Sequence, residues 1–153
     1  MLLEIRKEAA IAASEQACWE LVGDARRLSG CIPGVSGLTE VEPEKQYKAT
    51  ISDKLGPFRL QLPVTIAITE REAPTRIVAE ITGDDGRGQA RVKGRLEAAL
   101  APVAEGTSLV ANATIEVLGK LAALGATPMR RRADETFTTF VREVKAQLEQ
   151  AAV

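Results

Sequence analysis

Histidine is absent from the sequence, and aromatic residues make up only 3% of its 153 residues. Histidine is the side chain most often used as a general base and as a metal ligand. Its absence excludes every nucleophile that a histidine would activate, whether serine or cysteine. An enzyme built from this chain would depend on carboxylates, lysine or Tyr47 for acid and base chemistry.

The sequence also has few cysteines, a small net charge and no long apolar run. The two cysteines, Cys18 and Cys31, form no CxxC pair, so we expect free thiols rather than a disulfide or a metal site. A net charge of −1 gives no general attraction for nucleic acid. No segment reaches the roughly 20 apolar residues of a membrane-spanning helix, and charges interrupt the N-terminus before a signal peptide could form. We therefore expect a cytoplasmic protein.

The length of 153 residues predicts one domain, residues 1–153, which is large enough to fold around its own core. Alternating apolar residues predict a first strand over residues 2–11. Ser14 and Asp24 are predicted to cap two short helices that follow this strand. From residue 38 to residue 118, apolar and polar residues alternate between turn signals, which is typical of an antiparallel meander.

Residues 119–150 change to a helical period, with apolar residues recurring at every third or fourth position. Pro128 interrupts this stretch, so the helix either bends at Pro128 or begins anew just before it. The order of elements predicts an α+β fold with two short helices after the first strand. In this fold a curved antiparallel sheet wraps around a long C-terminal helix.

Small side chains dominate the positions that we expect to face that helix. These positions are Ala49, Ala79, Ala90, Gly94, Ala98, Ala111 and Ala113. A sheet packed tightly on a helix would use larger side chains to reach the usual packing density. Either the helix packs unusually close to the sheet, or some volume remains unfilled and forms an apolar ligand cavity.

Several short motifs, taken in order and with their spacing, resemble one protein family. They are Trp19 with Asp24 and Leu28, Cys31-Ile32-Pro33-Gly34, Lys54 with Gly56-Pro57, the glycines Gly83, Gly86, Gly88 and Gly94, and Gly119-Lys120-Leu121 with Leu124-Gly125. Together they resemble the carbon monoxide dehydrogenase subunit family CoxG over nearly the whole chain. This family belongs to the helix-grip superfamily, which includes START-type lipid carriers, Bet v 1-like proteins and polyketide cyclases.

The resemblance implies a helix-grip fold with an apolar cavity, no established catalytic residues and no cofactor apart from a bound lipid- or quinone-like molecule. It also implies a role beside a molybdenum hydroxylase of the carbon monoxide dehydrogenase type, as membrane recruitment, assembly help or carriage of an electron acceptor. Two features depart from the family. The chain stops at Val153, without the membrane-binding extension of some members, and residues 83–88 carry charges where relatives are commonly small and apolar.

The residues that we predict to contact an apolar ligand lie in the loop after the short helices, on the inward face of the sheet and on the last helix. They are Cys31, Ile32, Pro33, Tyr47, Ile51, Asp53, Leu62, Ala79, Val92, Ala111, Ala113, Met129 and Phe137. Asp53 could orient the polar end of a ligand, or it could lie beyond the last paired residue of its strand, which is the favoured alternative. No metal ligand is predicted.

The loop from Leu28 to Leu38 combines glycines and a proline with apolar side chains, which exposed loops usually avoid. Pro33 and Gly34 predict a tight turn over residues 32–35, in which Gly34 takes a positive φ. This turn is expected to aim Cys31 or Ile32 inward, either as a plug for the core or as a gate over a cavity.

Charged residues give weaker signals. Lys120, Arg131, Arg142 and Lys145 fall on one face of the last helix if Pro128 keeps the register. That face could meet anionic lipid headgroups at the inner face of the membrane or an acidic partner, but a solvated surface is the favoured alternative. Residues 86–88, Gly-Arg-Gly, predict a hairpin turn rather than a phosphate site.

Three hypotheses of function remain. The first is a noncatalytic carrier of an apolar small molecule that assists a molybdenum hydroxylase complex. The second is an enzyme of the cyclase or hydrolase type, with Asp53, Tyr47 or a nearby lysine as acid or base. The third is an assembly partner that acts through its outer surface.

Overall fold

A seven-stranded antiparallel sheet and a long C-terminal helix make up most of the structure, a computed structural model that describes residues 1–151. The strands are β1 (Leu2–Ile11), β2 (Val35–Glu42), β3 (Gln46–Leu55), β4 (Phe58–Glu72), β5 (Arg76–Asp84), β6 (Arg91–Val103) and β7 (Gly106–Leu118). The α-helices are α1 (Glu15–Val22), α2 (Ala25–Ser29) and α3 (Ala126–Ala151), and a 3₁₀ helix spans Lys120–Leu124. The predicted α+β fold is confirmed.

The strands follow the predicted meander. Their order in the sheet is β1-β7-β6-β5-β4-β3-β2, so β2 to β7 pair in sequence and β1 pairs with β7. The register sets Ile5 opposite Ala113 and Ile51 opposite Leu62, which collects the alternating apolar residues on one face. The strand region begins at Val35 rather than at residue 38, because the preceding turn already sets Val35 opposite Ile51.

Both predicted helix caps are present. The Ser14 hydroxyl accepts a hydrogen bond from the backbone N–H of Ala17 at 3.1 Å. The Asp24 carboxylate accepts from the backbone N–H groups of Arg26 and Arg27 at 3.0 and 3.2 Å. These bonds satisfy donors that would otherwise be unpaired at each helix start, so α1 and α2 begin where the sequence predicts.

The last helix begins anew before Pro128 and does not bend there. Gly119 and Gly125 both have positive φ, at 92° and 89°, and they bound the 3₁₀ helix between them. Pro128 therefore lies in the first turn of α3, where a backbone N–H has no partner within the helix and its loss costs little. No helix within residues 1–151 is long and apolar enough to cross a membrane.

Two clusters of buried apolar residues lie at opposite ends of the sheet. One contains Ile11 and Leu109 together with Phe140, Val144 and Leu148 of α3. The other contains Leu3, Leu62, Val117 and Leu121 together with Met129 of α3. The helix is therefore buried at both of its ends, while its middle lies beside β1, where the Lys7 ammonium pairs with the Asp134 carboxylate at 2.6 Å.

The loop between α2 and β2 has the predicted turn. The backbone N–H of Val35 donates to the carbonyl of Ile32 at 3.4 Å, and Gly34 has a φ of 83°. The Gly34 carbonyl accepts from the backbone N–H of Ser52 at 2.8 Å, which fastens the loop to β3. A Cβ atom at Gly34 would collide with the Ser52 carbonyl oxygen, so glycine is required at this position.

We expect Gly34→Ala to lower the free energy of unfolding by about 2–4 kcal/mol, because it adds a steric collision to an unfavourable φ. Gly37→Ala is the matched control, since Gly37 also has a positive φ, of 65°, but has no atom within 4 Å of the added Cβ. It should cost only about 1 kcal/mol. Urea unfolding of both variants measures the difference, and equal losses would show that Gly34 is not sterically constrained by β3.

An apolar cavity as the candidate functional site

A cavity of about 350 Å³ lies between the concave face of the sheet and the middle of α3. Apolar side chains from β3 to β7 form its floor, and Phe137, Phe140 and Met129 of α3 form its roof. Leu28 and Ile32, from α2 and the following loop, close one side. The cavity therefore occupies the gap between the two buried clusters.

The structure brings most of the predicted contact residues to this cavity. Those that line it are Ile32, Pro33, Tyr47, Ile51, Asp53, Ala79, Ala111, Met129 and Phe137. Of the seven small side chains that raised the question of unfilled volume, Ala49, Ala90, Gly94 and Ala113 do not line the cavity, whereas Ala79, Ala98 and Ala111 do. The helix does not approach closely enough to fill the space above them, so the volume remains open.

Cys31, Leu62, Val92 and Ala113 do not line the cavity. Cys31 is only 1% exposed and points into the cluster at the C-terminal end of α3, where the Gln147 amide donates to its sulfur at 3.4 Å. Leu62 and Val92 pack in the cluster beneath the 3₁₀ helix. Ala113 is buried on β7, where the register sets it between Ile5 of β1 and Leu96 of β6.

One end of the cavity carries an ion pair between α3 and β3. Arg132 Nε and Nη2 donate to the two carboxylate oxygens of Asp53 at 3.0 and 2.6 Å. The Asp53 carboxylate raises the pKa of Arg132 above its usual value. Asp53 lies opposite Leu60 within the β3–β4 pairing, so the favoured prediction that it lies beyond the last paired residue is wrong.

The other end of the cavity carries Arg71 and Tyr47. Arg71 Nη1 donates to the carbonyl of Gly23 at 3.1 Å, and Nη2 donates to the carbonyl of Glu44 at 3.3 Å. Burial raises the pKa of the Tyr47 phenol, and the neighbouring Glu40 carboxylate raises it further. A smaller polar pocket of about 250 Å³ adjoins this end and shares Gly23 and Tyr47 with the cavity.

Two arginines of the site, Arg71 and Arg132, were not predicted from the sequence. Strict alternation along β4 places Arg71 on the outer face of the sheet, but a bulge between Ile68 and Glu70 turns it inward. Arg132 belongs to a run of three arginines that do not share a helix face. The run therefore does not indicate which of the three faces the sheet. The partner of Arg132, Asp53, lies 79 positions away in sequence, and no local pattern indicates such a contact.

Neither the two cysteines nor the pair of Tyr47 and Asp53 is placed for acid, base or nucleophilic chemistry. Burial raises the pKa of both Cys18 and Cys31, which disfavours the thiolate that would react. Tyr47 and Asp53 are six positions apart on β3, which is about 20 Å of extended strand, so they cannot act on one atom. No group of three metal-ligating side chains occurs within residues 1–151.

The predicted basic face of the last helix is smaller than expected. Lys120 lies in the 3₁₀ helix, and Gly125 separates it from α3, so it shares no register with the other three residues. Arg131, Arg142 and Lys145 remain on α3 and are exposed. Residues 86–88 lie in the turn between β5 and β6, where Asp84 and Asp85 accept backbone hydrogen bonds, as predicted for a hairpin.

Several solved structures share this fold at low sequence identity. A conserved protein from Geobacillus kaustophilus has a TM-score of 0.85 at 21% identity, over 99% of this chain and 97% of that chain. A START superfamily protein from Mycobacterium smegmatis has a TM-score of 0.68 at 16% identity, over 98% of each chain. The di-domain ARO/CYC StfQ of the steffimycin biosynthetic pathway has a TM-score of 0.71 at 16% identity, over 99% of this chain and 52% of that chain. These likenesses define the class of fold as the START-like helix-grip fold.

The family within this class follows from the match of the sequence to a family model. Residues 8–149 match CoxG, the family described as a carbon monoxide dehydrogenase subunit, and the chain belongs to this family. The resemblance drawn from the short motifs is thereby confirmed. No curated protein sequence is a significant match to this chain.

We expect the Asp53–Arg132 pair to stabilise the fold by about 1 kcal/mol, because it is bidentate but its side chains are 21% and 44% exposed. A double-mutant cycle of Asp53→Asn with Arg132→Gln, followed by urea unfolding, measures this coupling. The coupling should decrease as salt is raised. A cycle that replaces Arg132→Gln with Arg131→Gln is the control and should give additive effects. If the free-energy changes are additive in both cycles, Asp53 and Arg132 do not stabilise the fold by pairing.

Proposed function

We propose that this chain is a noncatalytic accessory protein that binds an apolar small molecule in its cavity. One observation carries the proposal: the space between sheet and helix is lined mostly by apolar side chains, with the Asp53–Arg132 pair toward one end and Arg71 with Tyr47 toward the other. Burial of apolar ligand surface against such walls provides the binding free energy. The geometry gives no support for an acid or base role of Asp53, Tyr47 or a nearby lysine. The enzyme hypothesis is therefore the weaker one.

Family membership supports the rest of the proposal. The partner is a molybdenum hydroxylase of the carbon monoxide dehydrogenase type, and the bound molecule is lipid- or quinone-like. The chain would assist this enzyme in the cytoplasm by delivering an electron acceptor or by bringing the enzyme to the membrane. Arg131, Arg142 and Lys145 on the exposed side of α3 would then meet anionic headgroups or an acidic partner surface.

Protein purified from its native host should retain a stoichiometric apolar compound, which organic extraction and mass spectrometry would detect. Ala111→Phe should abolish this retention, because the added ring occupies the cavity from β7. Ala101→Phe is the matched control, since Ala101 is exposed on β6 and a strand accommodates an outward aromatic residue. Equal retention by both variants, or no compound in the unaltered protein, would contradict cavity binding.

The same two variants separate carriage from assembly. A pull-down from the native host should recover a molybdenum hydroxylase with the unaltered chain and with Ala111→Phe, if the partner surface lies outside the cavity. Electron transfer from the hydroxylase to the membrane should then fail only with Ala111→Phe. If transfer is unaffected while the pull-down succeeds, the chain acts through its outer surface alone. If no hydroxylase is recovered, the proposed partner is wrong.

A further inference from the structure

We propose that Arg71 anchors the polar end of the ligand, and that this end carries a carbonyl-type oxygen, as a ketone, an ester or a carboxylate. The proposal rests on the proposed function, since it requires an apolar molecule in the cavity. It adds the chemical class of the polar end and the side chain that binds it.

The β4 bulge is what brings Arg71 to the apolar face. Ile68 lies opposite Ala79, whereas Glu70 lies opposite Val78, so one extra residue is accommodated on β4. Arg71 then lies opposite Ile77, on the face that borders the cavity. An arginine here is costly to desolvate unless its donors are bonded. The fold places it at this position through a backbone irregularity, and not through the regular pleat.

The hydrogen bonds of Arg71 leave part of its donor capacity unused. A guanidinium has five N–H groups, and those of Arg71 are bonded within residues 1–151 to two backbone carbonyls, of Gly23 and Glu44. In the same part of the chain Arg71 forms no ion pair with a carboxylate, in contrast to Arg76, Arg91, Arg95 and Arg132. An oxygen acceptor at the end of a bound molecule would complete its hydrogen bonding.

The arginine at the opposite end is unsuited to this role. Both oxygens of the Asp53 carboxylate already bind Arg132, and a ligand oxygen would have to displace this charge-assisted bidentate contact. Asp53 would also repel a negatively charged group. The cavity therefore has one end where the arginine contacts a carboxylate directly and one end where it contacts two backbone carbonyls.

Space and nearby charge at the Arg71 end define the acceptor more closely. The adjoining polar pocket offers room for a head group beside Gly23 and Tyr47. Three carboxylates, of Asp24, Glu40 and Glu44, also border that pocket, against one cation, that of Arg26. These carboxylates reduce the positive potential around Arg71, so a neutral carbonyl competes well with a carboxylate for the same donors.

Three rigid probes that share one apolar ring system test the proposal: naphthalene, 2-acetylnaphthalene and 2-naphthoate. We expect the unaltered protein to bind 2-acetylnaphthalene about tenfold more tightly than naphthalene, which is the effect expected of a hydrogen bond from a charged donor. Arg71→Gln should remove this preference without changing the affinity for naphthalene. Arg71→Lys should keep part of it. Titration by intrinsic probe fluorescence measures all of these affinities.

Arg132→Gln is the matched control, because it removes an arginine from the other end of the cavity and should leave the preference intact. If naphthalene binds but the carbonyl gives no preference, or if Arg132→Gln removes the preference, the Arg71 proposal is wrong while cavity binding stands. If naphthalene does not bind, or binds equally to Ala111→Phe, the proposed function itself fails. The 2-naphthoate titration decides whether the preferred acceptor is anionic or neutral.

Arg71 also ties α1 to the turn between β2 and β3, so its variants are to be checked by thermal unfolding. A measurement on the unaltered protein avoids this difficulty. The NMR signal of the Arg71 Nε–H should shift when 2-acetylnaphthalene binds and should shift much less with naphthalene. Equal shifts with both probes would overturn the proposal even if every variant failed to fold.

Discussion

The way α3 is held against the sheet determines the rest of the structure. Phe140, Val144 and Leu148 fix its C-terminal half in one buried cluster, and Met129 fixes its N-terminal end in another. With both ends fixed, the middle of the helix cannot descend onto the small side chains of the central strands. Native packing normally eliminates such a gap. Here the gap persists because closing it would require moving one of the two clusters.

This constraint also separates the polar groups of the site. The Asp53–Arg132 pair joins β3 to α3 at one end of the cavity, and Arg71 with Tyr47 lies at the other. The cavity lining is mostly apolar, and the two polar ends are too far apart to act together on one small group. A long apolar molecule with a single polar end suits this distribution better than a compact polar substrate. This distribution is the physical reason for proposing binding rather than catalysis.

The sequence predicts the fold well because its signals are local. Alternation on the strands, the caps at Ser14 and Asp24 and the helical period after residue 119 each depend on a few neighbouring residues. Three of the seven small inward residues, Ala79, Ala98 and Ala111, line the cavity, and alternation placed them on the inward face of their strands. For Leu62 and Val92 this reasoning from local pattern is insufficient. Alternation places them on the inward face correctly, but only the position of the 3₁₀ helix decides that they are covered.

The loop after α2 shows how a plug and a cavity wall are combined in a few residues. Cys31 is fixed in the core beside α3, and Gly34 is fixed on β3 through Ser52. Only Ile32 and Pro33 lie between these two attachments, and both line the cavity. A segment this short, held on both sides, forms a wall more readily than a hinge. Cys31 is therefore the plug, and its two neighbours form a fixed part of the cavity wall rather than a gate.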